Sequence, residues 1–68
     1  MGFVMISDIP REKGSVHRQV HRLLTRIGAK QIQFSVWKHD KLEELIGIAS
    51  FIKKSGGDAR ILEERFIF

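Results

Sequence analysis

Asp8 is the first carboxylate of the chain, and it follows an apolar run, Phe3-Val4-Met5-Ile6, two residues before Pro10. Taken alone, an Asp in that place reads as a turn residue bonding the nearby backbone. His17 and His21 stand at i and i+4, the spacing at which a helix presents two metal ligands. The Glu that zinc proteases place directly after the first His is absent. Arg18 stands there instead, and Arg18 and Arg22 repel a cation. The two histidines therefore read as surface groups within reach of phosphate. Arg18, Arg22 and Arg26 repeat every four residues, and Arg11 and Lys13 lie close to Asp8 in sequence. Such a basic ridge tracks a phosphate backbone or forms a plain solvated helix face. No acidic residue balances it, which keeps phosphate binding open. Ser35 has no Asp–His pair placed by sequence to activate it, so it reads as a strand hydroxyl rather than a nucleophile. Trp37 reads as cover for a sheet edge, with stacking on a base as the alternative.

The elements that position these residues follow from periodicity. The apolar run without alternation suits a central strand covered on both faces, ending near Ile9 because Pro10 cannot donate to a ladder. Val16, Val20, Leu23, Leu24 and Ile27 form one stripe at helical period, with Ser15 as N-cap and Gly28 as stop. Residues Gln31 to Trp37 alternate, with Ile32, Phe34 and Val36 on one side, which predicts a single strand. A short hairpin near Lys38 to Asp40 is compatible with the pattern. Asp40 and Glu43 resemble a capping box. A second helix follows, with Leu42, Leu45, Ile46, Ala49 and Ile52 on one face, widened by Ile48 and Phe51. Gly47 costs that helix about 1 kcal/mol relative to Ala, which suggests close packing against it. Gly56-Gly57 ends the helix, and Ala59 to Leu62 reads as a last strand. Phe66-Ile67-Phe68 must be covered by its own domain or by a partner subunit. The order β-α-β-α-β predicts an α+β sandwich, two helices on one sheet, ferredoxin-like in the form βαββαβ or a shortened βαβαβ.

Composition bounds the rest. With 68 residues, 43% hydrophobic and 29% charged, the chain predicts one globular domain, 1–68. A body this small buries only ~60% of its unfolded surface, so oligomerisation is expected. There is no cysteine, which excludes disulfides, thiol nucleophiles and cysteine-ligated zinc. No apolar run approaches the length of a membrane span, and no basic segment precedes the first one as in a signal peptide. A reducing cytoplasm is the expected setting. Twelve Lys and Arg against eight Asp and Glu give a net charge of +4, which favours anionic partners, nucleic acid first.

Three motifs together resemble a known family, the small universal CRISPR-associated protein that partners the adaptation integrase and is described as an endoribonuclease. Asp8-Ile9-Pro10 closes the apolar first strand. Gly28 then leads to Gln33-Phe34-Ser35-Val36-Trp37, a Gln-x-Ser-Val-aromatic strand. Asp58-Ala59-Arg60-Ile61-Leu62 opens on Asp and carries an Arg. The resemblance runs loosely from Phe3 to Leu62. The chain departs from the family pattern at Ser7, where a Tyr is usual. It also departs after Trp37, where only Lys38-His39-Asp40 stand in place of a third, acidic strand.

The resemblance implies a ferredoxin-like homodimer in which each C-terminal strand adds to the partner's sheet. It implies a metal-dependent nuclease acting on single-stranded RNA or duplex DNA, or a non-catalytic bridge that holds DNA between integrase subunits. Asp8 would be the catalytic residue and the ligand of magnesium or manganese, in keeping with the preference of these ions for hard oxygen. Arg11, Lys13, Arg18, Arg22 and Arg26 would contact nucleic acid. Ser35, Phe66, Ile67 and Phe68 would lie at the dimer interface, with Ser35 bonding across it or orienting a ligand near Asp8. A ligand-sensing module on the same fold is the reading from a different class. Steep salt dependence of nucleic-acid affinity separates the first two from the third.

Overall fold

A computed structural model of the chain describes residues 2–65 and residue 67. Its elements follow in the order β1 (Phe3–Asp8), α1 (Gly14–Arg26), β2 (Lys30–Gln33), β3 (Val36–His39), α2 (Leu42–Lys54) and β4 (Asp58–Glu63). The strands form one antiparallel sheet in the order β2-β3-β1-β4. β3 lies between β1 and β2 and is antiparallel to both, so β1 and β2 run parallel across it. Two split βαβ units thus interlock, an arrangement compatible with the full ferredoxin-like βαββαβ form.

One face of the sheet carries both helices. Met5, Trp37 and Ala59 point from β1, β3 and β4 into a core shared with Val20 and Leu24 of α1 and Leu45, Ile48, Ala49 and Ile52 of α2. The apolar stripe expected on α1 is the one that packs, with Val16, Leu23 and Ile27 at its margin. On α2 the stripe is shifted: Ile48 is buried and Ile46 is exposed. Both helices end in a Schellman motif. The Gly28 N–H donates to Thr25 and the Ala29 N–H to Leu24; the Gly56 N–H donates to Lys53 and the Gly57 N–H to Ile52. Gly28 and Gly56 have φ of 83° and 93°, values that favour glycine.

Several expectations are corrected. The segment Gln31 to Trp37 is not one strand. It folds back at Phe34-Ser35, so the hairpin lies there and not at Lys38 to Asp40. Gln31 pairs with Trp37 and Gln33 with Val36, leaving Ile32 as the extra residue of a β-bulge. The bulge breaks the strict alternation, and Ile32 and Phe34 are exposed while Trp37 enters the core. Trp37 therefore sits on an inner strand rather than covering an edge. Ser35 is a turn residue with φ 70°, not a strand residue.

The helix starts differ as well. α1 begins at Gly14 after Lys13, and Ser15 lies inside its first turn. α2 begins at Leu42 after Lys41, and no side chain caps it, so the Asp40–Glu43 capping box does not form. Asp40 approaches the His39 ring instead, at 3.9 Å. Gly47 is exposed, and a Cβ there would meet nothing within 4 Å, so close packing does not explain it.

β1 is central as expected, but its second face is uncovered. Val4, Ile6 and Asp8 point away from the helices, alongside Val36 and Lys38 of β3 and Asp58, Arg60 and Leu62 of β4. Ile6 and Leu62 are 41% and 50% exposed. Of the C-terminal trio, Phe66 and Phe68 lie outside the described residues, and Ile67 is 94% exposed.

Candidate functional site

The candidate residues separate into two places on opposite sides of the sheet. The first is the end of β1. Asp8 is the last residue of the strand and is exposed. Its register partner on β4 is Asp58, also exposed, so the two carboxylates project from the same face at directly opposed positions. Asp8, Pro10, Gly56, Gly57 and Asp58 line a small cavity at this corner. Gly57 permits the approach: a Cβ there would stand 2.9 Å from the Asp8 carbonyl oxygen. The Asp58 Oδ1 accepts from the Ala59 N–H at 2.9 Å, which fixes the side chain and leaves its second oxygen open. Lys13 folds over Gly56, its Nζ 3.1 Å from where a Cβ of that glycine would be. Arg60 faces Ile6, and is thus the diagonal neighbour of Asp8 on the open face.

The second place is a groove on the helix side, between α1 and the β2–β3 hairpin. His17, Arg18, His21, Arg22, Thr25 and Arg26 form its helical wall. Gln31, Phe34, Ser35 and Trp37 form the other. The His21 ring meets Trp37 edge-on, with centroids 5.3 Å apart. The Ser7 N–H donates to the Ser35 carbonyl at 3.0 Å and ties the hairpin turn to β1.

The histidine pair resolves as the residue types suggested. The His17 Nε2 lies 3.2 Å from the Pro10 carbonyl, which only accepts, so His17 donates there and pins the loop after β1. His17 and His21 thus have separate partners. Among the described residues there is no group of three or more His, Asp or Glu side chains arranged to hold a metal.

The arginine ridge therefore does not flank Asp8. Arg18, Arg22 and Arg26 gather with aromatic and histidine side chains, while Asp8 gathers with Asp58. Of the two cations near Asp8 in sequence, Lys13 is at that corner, and Arg11 is exposed in the turn between β1 and α1. The opposition of Asp58 to Asp8 is not readable from the sequence, because strand register is not fixed by a single chain. Phe34 as a groove residue is not readable either, since the turn has no Gly, Asn, Asp or Pro and only Ser35 as a weaker turn former. The buried His39, which meets the Glu44 carboxylate at 2.6 Å, had no signal beyond its residue type.

No model of a known family matches the chain, and no curated protein matches its sequence. No helix among the described residues is long and apolar enough to cross a membrane.

Proposed function

We propose that this chain is a dimeric, metal-dependent endonuclease of a CRISPR adaptation machinery, acting in the cytoplasm on single-stranded RNA or duplex DNA. The observation that carries this reading is the opposed pair Asp8 and Asp58. Like charges directly opposite in a sheet repel, and a divalent cation between them relieves that repulsion. Magnesium or manganese fits the donor set, since magnesium often takes one or two carboxylates and completes its shell with water and substrate phosphate. When bound, such an ion polarises a phosphodiester and lowers the pKa of an attacking water. Asp8 and Asp58 supply the anionic seat. Lys13, folded over Gly56, and Arg60, diagonal to Asp8 on the open face, would offset phosphate charge.

The open sheet face supports the dimer. Its half-exposed Ile6 and Leu62, beside Val4 and Val36, are an apolar surface at the centre of the fold, and a second copy would cover it. Ile67 has no cover from its own domain, in keeping with a C-terminal tail that seats on a partner. Phe66, Ile67 and Phe68 remain the proposed interface residues, whereas Ser35 lines the helix-side groove and would stand apart from an open-face interface; an integrase subunit remains the proposed larger partner.

One observation favours the second reading, a non-catalytic dimeric scaffold that bridges duplex DNA and the integrase. Arg18, Arg22 and Arg26 line a different cavity from Asp8 and Asp58, so nucleic acid could be held there without engaging the carboxylates. Cleavage of single-stranded RNA and duplex DNA, with magnesium, manganese or chelator, separates the two. Metal-dependent cleavage that disappears in a folded Asp8→Asn dimer supports the nuclease. Salt-sensitive duplex binding without cleavage supports the scaffold.

A further inference from the structure

Phe34 has no role in the core. It sits at the tip of a two-residue hairpin turn, 72% exposed, where a polar residue or glycine is usual. It lines the groove whose far wall carries Arg18, Arg22 and Arg26. The groove has a volume of about 880 Å³, within the range of sites that take small organic ligands. Its lining contains no Asp or Glu, and no ion pair among the described residues engages the three arginines. Along α1 they rise by ~6 Å per step, close to the separation of successive phosphates on one strand. Trp37, 6% exposed, forms the floor, held by the edge of His21.

From this geometry we infer that the α1–hairpin groove is a binding site for single-stranded nucleic acid, distinct from the Asp8 corner. The arginines hold consecutive phosphates and Phe34 stacks on an unpaired base. A duplex keeps its bases stacked within itself, so an exposed ring opposite a cationic ridge contributes only when the base is free. Gln31 and Thr25, at the same groove, supply polar contacts without charge. The site lies on the helix side of the sheet, so a second copy seated on the open face leaves it accessible. This inference rests on the reading of the chain as a nucleic-acid binder, but not on hydrolysis at Asp8.

The test uses the full chain in chelator, with Asp8→Asn run beside wild type so that binding is read apart from cleavage. Trp37 is the only tryptophan, so its emission reports the groove floor directly. Short oligo(dT) and oligo(U) are titrated against a duplex of equal length. Both single strands are expected to change Trp37 emission and to bind more tightly than the duplex. Phe34→Leu, which keeps apolar bulk, is expected to weaken them about tenfold, and Phe34→Tyr to leave them unchanged. Arg22→Gln is expected to reduce the slope of log affinity against log salt by about 0.7. Circular dichroism verifies that each variant is folded. Equal affinity for duplex and single strand, or equal single-strand affinity in folded Phe34→Leu, overturns the assignment. Because binding is read in chelator, single-strand preference in wild type and Asp8→Asn alike supports the groove even where separate assays with metal find no cleavage, an outcome that overturns only the nuclease reading.

Discussion

Gly57→Ala tests the packing that brings Asp8 and Asp58 together. A Cβ at this position would stand 2.9 Å from the Asp8 carbonyl oxygen and 2.9 Å from the Ile52 Cγ2. Carbon atoms in contact prefer ~3.5–4.0 Å, so Ile52 or the chain must give by about 0.6–1.1 Å. Neither neighbour yields readily. The Asp8 oxygen is backbone at a strand end, and Ile52 is fully buried in the core. The Gly57 N–H also donates to the Ile52 carbonyl at 2.9 Å, which resists movement of Gly57 itself. Overpacking of this kind costs about 1–3 kcal/mol. Against it, replacing Gly by Ala lowers unfolded-state entropy and returns about 0.4–1 kcal/mol. The expected net loss is about 1–2 kcal/mol. For a domain of this size that corresponds to a fall in Tm of about 4–16 °C, read by thermal denaturation followed by circular dichroism. A Gly57→Ala protein that melts at or above wild type would show that Ile52 and the Asp8 backbone accommodate the methyl group without strain.

Gly47→Ala lies on the exposed side of α2 with open space around it, and is expected to stabilise by about 1 kcal/mol in urea titration. Ser35→Val places a β-branched side chain at φ 70° and is expected to cost more than about 1 kcal/mol, whereas Ser35→Gly is expected to be neutral or stabilising, both read by the urea midpoint. His39→Ala removes a buried ring held by Glu44 at 2.6 Å, and is expected to lower unfolding free energy by about 2 kcal/mol by the same titration.

Residues with strong local grammar were legible in the sequence. The stripe of α1, the glycines that end both helices and the stop of β1 before Pro10 all follow from rules that act within a few residues. The hairpin was not legible, because the bulge at Ile32 shifts register by one and a turn without Gly or Asn gives no signal. That single slip turned Trp37 from an edge residue into a core residue and moved Phe34 into a groove. The spacing of Arg18, Arg22 and Arg26 marks a ridge on one helix face, but not its neighbours, since the side of the sheet that α1 covers is a tertiary matter. Asp8 stands out in the sequence by its place at a strand end. Asp58 as its partner needed the β1–β4 pairing, which joins residues fifty positions apart.

The proposed function rests on Asp8 and Asp58 acting as one metal seat. The most direct measurement is the single-turnover cleavage rate against manganese concentration for wild type, Asp8→Asn and Asp58→Asn, each verified as folded. Both variants are expected to lose cleavage, or to need much more manganese to restore it. An Asp58→Asn protein that cleaves as wild type at every manganese concentration, beside an inactive Asp8→Asn, would show that the two carboxylates do not share a metal.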